Sequence, residues 1–232
     1  MKICLIPARK GSQRIKNKNI KIFNGKPLIS YTIQIIKKTK IFDKIIVSTN
    51  CDKTARIARS YGAEVPFKRP TYLSNSKATD IDVLKHFISF ANNNKMTLDY
   101  ICYTYATNPL LKKSIIKKTL DILIKNDVQK VLTISKFEYP IQRALKKGND
   151  GQISFREPEF KNATSQKLQT FYQDACQCYW YNLNKIKNFN KFEKFSTLGY
   201  ELKNLEFVDL NDNEDLDKLN FLFKLNKNKI RN

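Results

Sequence analysis

Apolar and polar positions along this chain switch between two periods. Residues 3–6, Ile-Cys-Leu-Ile, form a continuous apolar run that ends at Pro7, the pattern of a strand buried on both faces. Between residues 28 and 38 the apolar positions Leu28, Tyr31, Ile35 and Ile36 recur at helical spacing. A second strand is predicted over 44–48. Asn50 or Asp52 can cap the helix after it, which runs to about Tyr61 and stops at Gly62. A short third strand is predicted over 64–67. Thr79 precedes a stripe of Ile81, Leu84, Ile88 and Ala91 and reads as a helix N-cap. Residues 100–105 and 130–134 read as strands around a helix over 114–125. Strands alternating with helices predict an α/β, Rossmann-like fold with a mostly parallel central sheet flanked by helices. The periodicity fails over 136–170, which reads as an excursion. Residues 171–180 and 205–210 are expected as further strands, and 216–225 as the closing helix.

Composition narrows the class. A length of 232 residues suits one large α/β domain, 1–232, with a small appended element, and it buries a core without staples. No run of roughly 18 apolar residues occurs, so no membrane span is expected. The N-terminus is a core strand with the wrong flanks for a signal peptide, which predicts a cytoplasmic protein. The net charge of +22 raises nucleic-acid binding as a function class. Against it, the basic residues are nearly all lysine, spread end to end among abundant Asn and Ile. An anionic small substrate still gains from such a field by steering. The five cysteines are odd in number and scattered, and Cys176-Gln-Cys178 puts two thiols on one face of a strand. With one histidine, His86, and no second cysteine pair, they read as core or site-wall residues rather than a metal centre.

The chemistry concentrates after the first strand. The loop that follows Pro7 carries Arg9, Lys10, Gly11, Ser12, Arg14, Lys16, Lys18 and Asn19. Cations and backbone N–H groups converging at a strand's C-terminal end can cradle a polyphosphate. The loop lacks the Gly-x-x-x-x-Gly-Lys-Ser/Thr pattern, and Gly11 stands alone, so it is not a dinucleotide fingerprint either. In open α/β sheets the ligand lies beyond the C-terminal strand ends, which groups this loop with the ends of later strands.

Pro7-Ala-Arg-Lys-Gly-Ser-Gln-Arg-Ile-x-x-Lys-Asn19 resembles the opening signature of the sialic-acid-type cytidylyltransferases. That family joins CMP to acidic nine-carbon sugars on a nucleotide-diphospho-sugar transferase fold. Later blocks resemble it in order. They are Ser48-Thr49-Asn50, Tyr61-Gly-Ala-Glu-Val65, Arg69-Pro-x-x-Leu-Ser74 and Tyr105-Ala-Thr-x-Pro109. Glu138-Tyr-Pro-Ile-Gln-Arg-Ala-Leu145 and Asp174-Ala-Cys-Gln-x-Tyr-Trp180 follow. The last three are most like the family's pseudaminic acid branch. The resemblance spans about residues 1–225.

It implies nucleotide contacts by Ala8, Arg9, Gly11, Ser12, Arg14, Lys18, Asn19, Arg69, Thr79 and Asp80, with Arg9 and Lys18 catalytic. It implies sugar contacts by Tyr105, Ala106, Thr107, Arg143, Gln173 and Asp174. Arg143 as a surface or interface arginine is an equal reading. Mg2+ is implied at Asp209 and Asn211, where the family carries two aspartates. Asp212 either compensates for Asn211 or only caps the helix. Cys176 stands where glycine is usual. CTP and a nonulosonic acid, pseudaminic acid first, are the implied substrates, with pyrophosphate released and the product used to glycosylate surface glycans or flagellin. N-acetylneuraminic acid is the alternative acceptor. Residues 136–170 are implied to serve homodimerisation, and neither nucleic acid nor membrane is expected as a partner. A basic nucleic-acid-binding protein and a CTP-binding pseudoenzyme are the readings from other classes.

Overall fold

The structure is a computed structural model that describes residues 1–231, with side chains described to residue 226. Its strands are β1 (Lys2–Pro7), β2 (Ile22–Phe23), β3 (Lys26–Pro27), β4 (Lys44–Ser48), β5 (Tyr100–Tyr103), β6 (Lys130–Lys136), β7 (Leu145–Lys147), β8 (Ile153–Phe155), β9 (Tyr172–Asn182) and β10 (Thr197–Leu202). The helices are α1 (Leu28–Thr39), α2 (Asp52–Ser60), α3 (Asp80–Asn93), α4 (Lys113–Lys125) and α5 (Asn213–Arg231). Six strands make the main sheet in the order β10-β6-β9-β5-β1-β4. Within it β1 pairs in parallel with β4 and β5, and β10 with β6, while β9 runs antiparallel between β5 and β6. The expected mixed α/β architecture with a mostly parallel sheet is therefore what forms.

Both faces of the sheet are covered, which is why β1 reads as an unbroken apolar run: Ile3, Cys4, Leu5 and Ile6 are all fully buried. Cys4 and Ile6 join a core with Ile29, Ile33 and Ile36 of α1 and Ile115, Ile116 and Leu123 of α4. Ile3 and Leu5 join another with Leu84 and Phe87 of α3. Trp180 of β9 is fully buried, stacked on Phe42 at 5.4 Å, and its indole N–H donates to the Ile116 carbonyl at 3.2 Å.

Two expected strands do not form. Residues 64–67 contribute only a single bridge, Glu64 to Ile46, with another just beyond them from Lys68 to Thr49. Pro66 has no N–H for a ladder. Residues 205–210 begin in a 3₁₀ turn, Asn204–Glu206, and Val208 and Leu210 pack away from the sheet. The sheet edge is β10 instead. The 136–170 excursion leaves from the end of β6 and returns at β9, with Phe137 N–H bonded to the Phe171 carbonyl at 3.1 Å across its neck. Inside it, β7 and β8 make a separate hairpin.

Three thiols are core residues. Cys4, Cys102 and Cys178 are fully buried, and the Cys102 and Cys178 sulfurs lie 3.5 Å apart. Burial pushes the Cys102 and Cys178 thiols well up. Cys51 differs: its modest burial raises its pKa, but hydrogen bonds from Thr54 and the Lys53 backbone at the start of α2 more than offset this and lower it. Native protein treated with an aromatic disulfide reagent is expected to show one fast thiol, Cys51. Three of the five should react only after unfolding. Fast native labelling of Cys102 or Cys178 would contradict this packing.

Candidate active site

The phosphate-type loop and the distant 208–222 segment meet because of one apolar side chain. Ile15, set among cations, is 3 % exposed and packs with Val208 and Leu210 and with Leu219 and Leu222 of α5. That small cluster brings residues from both ends of the chain over the C-terminal ends of β1 and β5. The loop is also stitched from within and tied to the residues after β4. Asn19 Nδ2 donates to the Arg9 carbonyl at 3.1 Å, and the Lys10 N–H donates to Asn50 Oδ1 at 2.8 Å. Gly11 sits at φ 99°, a left-handed conformation that other residues rarely adopt.

A cavity of about 370 Å³ opens under this loop, walled by Arg9, Ser12, Arg14, Lys18, Asn19, Arg69, Asp80, Tyr105 and Asn211 among others. A second cavity of about 260 Å³ adjoins it and shares Lys18, Asn19, Tyr105 and Asn211. Its own walls include Ala106, Thr107, Asn108, Cys176 and Asp209. Most of the residues expected on the nucleotide and sugar sides thus gather around two joined compartments.

Lys18 stands where they join. Its ammonium donates to the Leu210 carbonyl at 2.6 Å. Burial lowers its pKa, Asp209 raises it, and Arg14 and Arg9 lower it further. Arg69 is 4 % exposed and holds β4's end, donating from Nε to Ser48 Oγ at 3.0 Å and from Nη2 to the Ser48 carbonyl at 2.6 Å. Arg14 Nη2 donates to Asn211 Oδ1 at 2.8 Å, and Asn211 Nδ2 donates to Asp209 Oδ2 at 2.8 Å. Asp212 is the helix cap. Its Oδ1 accepts from the Asp215 N–H at 3.0 Å, and Asp215 Oδ2 accepts from the Asp212 N–H at 3.2 Å.

Six expected site residues line neither cavity. Ala8 is buried, and its carbonyl accepts from Thr49 Oγ1 at 2.6 Å. Gly11 serves as the loop's turn. Thr79 caps α3: its Oγ1 accepts from the Asp82 N–H at 3.2 Å, and Asp82 Oδ2 accepts from the Thr79 N–H at 2.9 Å. Arg143 is exposed on a short turn within the excursion. Gln173 and Asp174 are exposed at the start of β9. Asp174 Oδ1 accepts from the Cys176 N–H at 2.8 Å and from Tyr179 Oη at 2.9 Å.

Sequence reasoning missed Tyr103, a wall of the larger cavity, and Asn108 in the smaller. The alternation Tyr103-x-Tyr105 at a strand's end was the available signal, since it puts both phenols on one side. Asn108 Nδ2 donates to the Cys176 carbonyl at 3.1 Å and ties the 106–108 turn to β9.

Cys176 adopts φ 52°, where the β6–β9 register shifts. The bulge puts its thiol on the smaller cavity while Cys178 stays in the core, so the two thiols do not share a face. Burial, then Asp174, pushes the Cys176 thiol up to about 12. Cys176→Gly is expected to leave stability unchanged or raise it by up to ~1 kcal/mol, because the left-handed penalty disappears. Glycine elsewhere in a strand destabilises, so a drop in the urea midpoint would count against this reading.

The sequence matches the cytidylyltransferase family over residues 3–230. This chain belongs to the cytidylyltransferase family. As a member it is a CTP-dependent nucleotidyltransferase. It is 34% identical over 226 residues to a pseudaminic acid cytidylyltransferase of Campylobacter jejuni, covering 97% of both chains. It is 28% identical over 216 residues to an N-acylneuraminate cytidylyltransferase of Streptococcus agalactiae, covering 92% of this chain and 51% of that one. Among solved structures, a CMP:2-keto-3-deoxy-manno-octonic acid synthetase complexed with CTP superposes with TM-score 0.72 at 13% identity, covering 97% of this chain and 99% of that one. That likeness bears on the fold.

Proposed function

We propose that this cytidylyltransferase transfers CMP from CTP to the anomeric hydroxyl of a nonulosonic acid, with pseudaminic acid as the preferred acceptor. The observation that carries the proposal is the pair of joined cavities with Lys18 at their junction. The larger compartment, with Arg9, Ser12, Arg14, Lys18 and Asn19 along its loop, suits the triphosphate, and its Arg69 wall suits the nucleoside. The smaller compartment, with Tyr105, Ala106 and Thr107, suits the acceptor. Similarity to the Campylobacter jejuni enzyme along nearly the whole chain supports the acceptor assignment.

In this reaction the acceptor oxygen bonds to the α-phosphorus as the bond from that phosphorus to the bridging β-phosphate oxygen breaks. The hydroxyl proton is released and pyrophosphate leaves. Negative charge grows on the phosphoryl oxygens, where Arg9 and Lys18 are placed to stabilise it. Asp209 in the smaller cavity and Asn211 in the shared wall stand next to each other, and Mg2+ is commonly held by one or two protein oxygens plus substrate phosphates and water. The pair fits that role once the Asn211 carboxamide turns its oxygen towards Asp209. When bound there, the ion neutralises phosphate charge. Among the described residues no group of three or more His, Cys, Asp or Glu is gathered for a metal.

We also propose that the 136–170 excursion mediates homodimerisation of a single 1–232 domain. Tyr139, Leu145 and Ile153 are 82%, 56% and 63% exposed there. Dependence on CTP supports a cytoplasmic location, and among the described residues no helix is long and apolar enough to cross a membrane.

Pyrophosphate release with Mg2+ and each of the four nucleoside triphosphates, offered pseudaminic or N-acetylneuraminic acid, tests the function. Release with CTP and pseudaminic acid is the expected result. Preference for N-acetylneuraminic acid would overturn the acceptor. Binding of CTP without turnover would favour a pseudoenzyme. Failure to bind CTP, with strongly salt-dependent binding to nucleic acid, would end this reading.

A further inference from the structure

Asp80 opens α3 in the wall of the larger cavity, yet both of its carboxylate oxygens are already engaged. Oδ1 accepts from the Tyr103 hydroxyl at 2.5 Å, and Oδ2 accepts from the Tyr105 hydroxyl. The helix start that carries it is held by the Thr79–Asp82 capping box, so the carboxylate is a fixed point.

The phenols it holds belong to a three-ring group. Tyr103 and Tyr105 meet edge to face at 5.8 Å and 87°, and Tyr105 and Tyr179 at 6.1 Å and 89°. Tyr103 and Tyr179 close the set at 6.2 Å and 79°. Tyr179 is tied in turn to Asp174, next to the Cys176 bulge. Burial, with Asp80, raises the Tyr103 and Tyr105 pKa values, so both phenols stay protonated and remain donors to the carboxylate. Tyr105 is the ring that lines both cavities, whereas Asp80 lines only the larger one.

We propose that Asp80 is a positioning residue: it fixes Tyr105 as the partition between the two compartments and so sets the acceptor's place, rather than contacting the cytidine. This inference rests on the assignment of the compartments to nucleotide and acceptor. A direct nucleotide contact would have to share an oxygen that already accepts a charge-assisted hydrogen bond from a phenol. Tyr105, by contrast, loses only its anchor when Asp80 changes, and the ring is then free to lean into the acceptor compartment.

The test compares Asp80→Asn, Tyr105→Phe and the double variant with the unmodified enzyme, measuring CTP affinity by calorimetry and steady-state acceptor kinetics. Each single change is expected to raise the acceptor KM by ~10-fold and to leave the CTP Kd within about two-fold, as loss of one charged hydrogen bond would. The double variant should resemble the singles instead of multiplying them. Tyr105→Phe keeps the ring and guards against a misfolded Asp80 variant. A ten-fold weaker CTP Kd in Asp80→Asn would overturn the proposal in favour of a nucleotide contact, as would an unchanged acceptor KM.

A crystal structure of Asp80→Asn provides an independent arm. The Tyr105 ring should leave its place between the two compartments, and an unmoved ring would overturn the positioning role. If the unmodified enzyme showed no turnover with either acid, the compartment reading would fail and the acceptor claim with it. The ring's position would still report whether Asp80 holds the phenol.

Discussion

Lys18→Met is expected to lower pyrophosphate release by ~10²–10³-fold, the effect typical of removing one preorganised donor from developing oxyanion charge. Methionine keeps the apolar stem that fills the wall, so the change removes the ammonium and little else. The effect should fall on turnover more than on CTP affinity, since Arg9 and Arg14 share the larger cavity and still attract the triphosphate. Lys18→Arg should recover part of the rate.

The pH dependence gives a second check. Burial puts the Lys18 pKa below its ordinary 10.5, so the cation is lost earlier on the alkaline side than for an exposed lysine. Turnover should therefore decline as pH rises through that lowered pKa, and Lys18→Arg should move the decline to higher pH. The stability sign is opposite. A lysine whose folded pKa is lowered weakens the unliganded fold while it is charged in both states. That cost is relieved between the folded pKa and the unfolded value. Lys18→Met removes that cost and should therefore melt at or above wild-type at neutral pH. A variant that turns over at the wild-type rate would remove Lys18 from the chemistry.

How much of this was legible in the sequence depends on whether a signal is local. The β1 run, the α1 period and the Thr79 cap are properties of a few consecutive residues, and each forms as read. Residues 64–67 misled because apolar side chains flank a proline that cannot join a ladder. Residues 205–210 misled because the alternation at Val208 and Leu210 reflects burial against Ile15 and α5, not strand pairing. The edge strand β10 carries exposed Thr197, Leu198 and Gly199 and showed no run to notice.

At the site, the motif resemblance found the cations and the Asp209–Asn211 pair. Which residues of a motif face the cavity was not legible, because that depends on hydrogen bonds closed across the fold. Thr79 caps its helix and Asp80 accepts from two phenols. Cys176 shows the reverse case. The resemblance implies glycine there, and the structure has the backbone that glycine suits, left-handed at a bulge.

Asp209→Asn is expected to reduce turnover by at least ~10²-fold, since it removes the one carboxylate of the pair proposed to hold the metal. The reciprocal change, Asn211→Asp, is the more informative one. It would set two carboxylates at the 2.8 Å contact now made by the amide, with Arg14 on the other side. Like charges that close raise the pKa of one of them in the folded state. A carboxyl raised above its unfolded value contributes stability at low pH that is lost as pH rises through the folded pKa.

With chelator present, Asn211→Asp should therefore melt near wild-type at pH 4 and below it at pH 8. A divalent cation should restore the pH 8 loss, because the ion neutralises the pair. The same variant should need less Mg2+ for half-maximal pyrophosphate release, as a charged ligand replaces a neutral one. Melting curves with chelator and with Mg2+ separate binding at this pair from effects on the reaction. If Mg2+ leaves the pH 8 melting temperature of Asn211→Asp unchanged, the metal is not held by this pair, and the phosphate charge falls to Arg9, Arg14 and Lys18 alone.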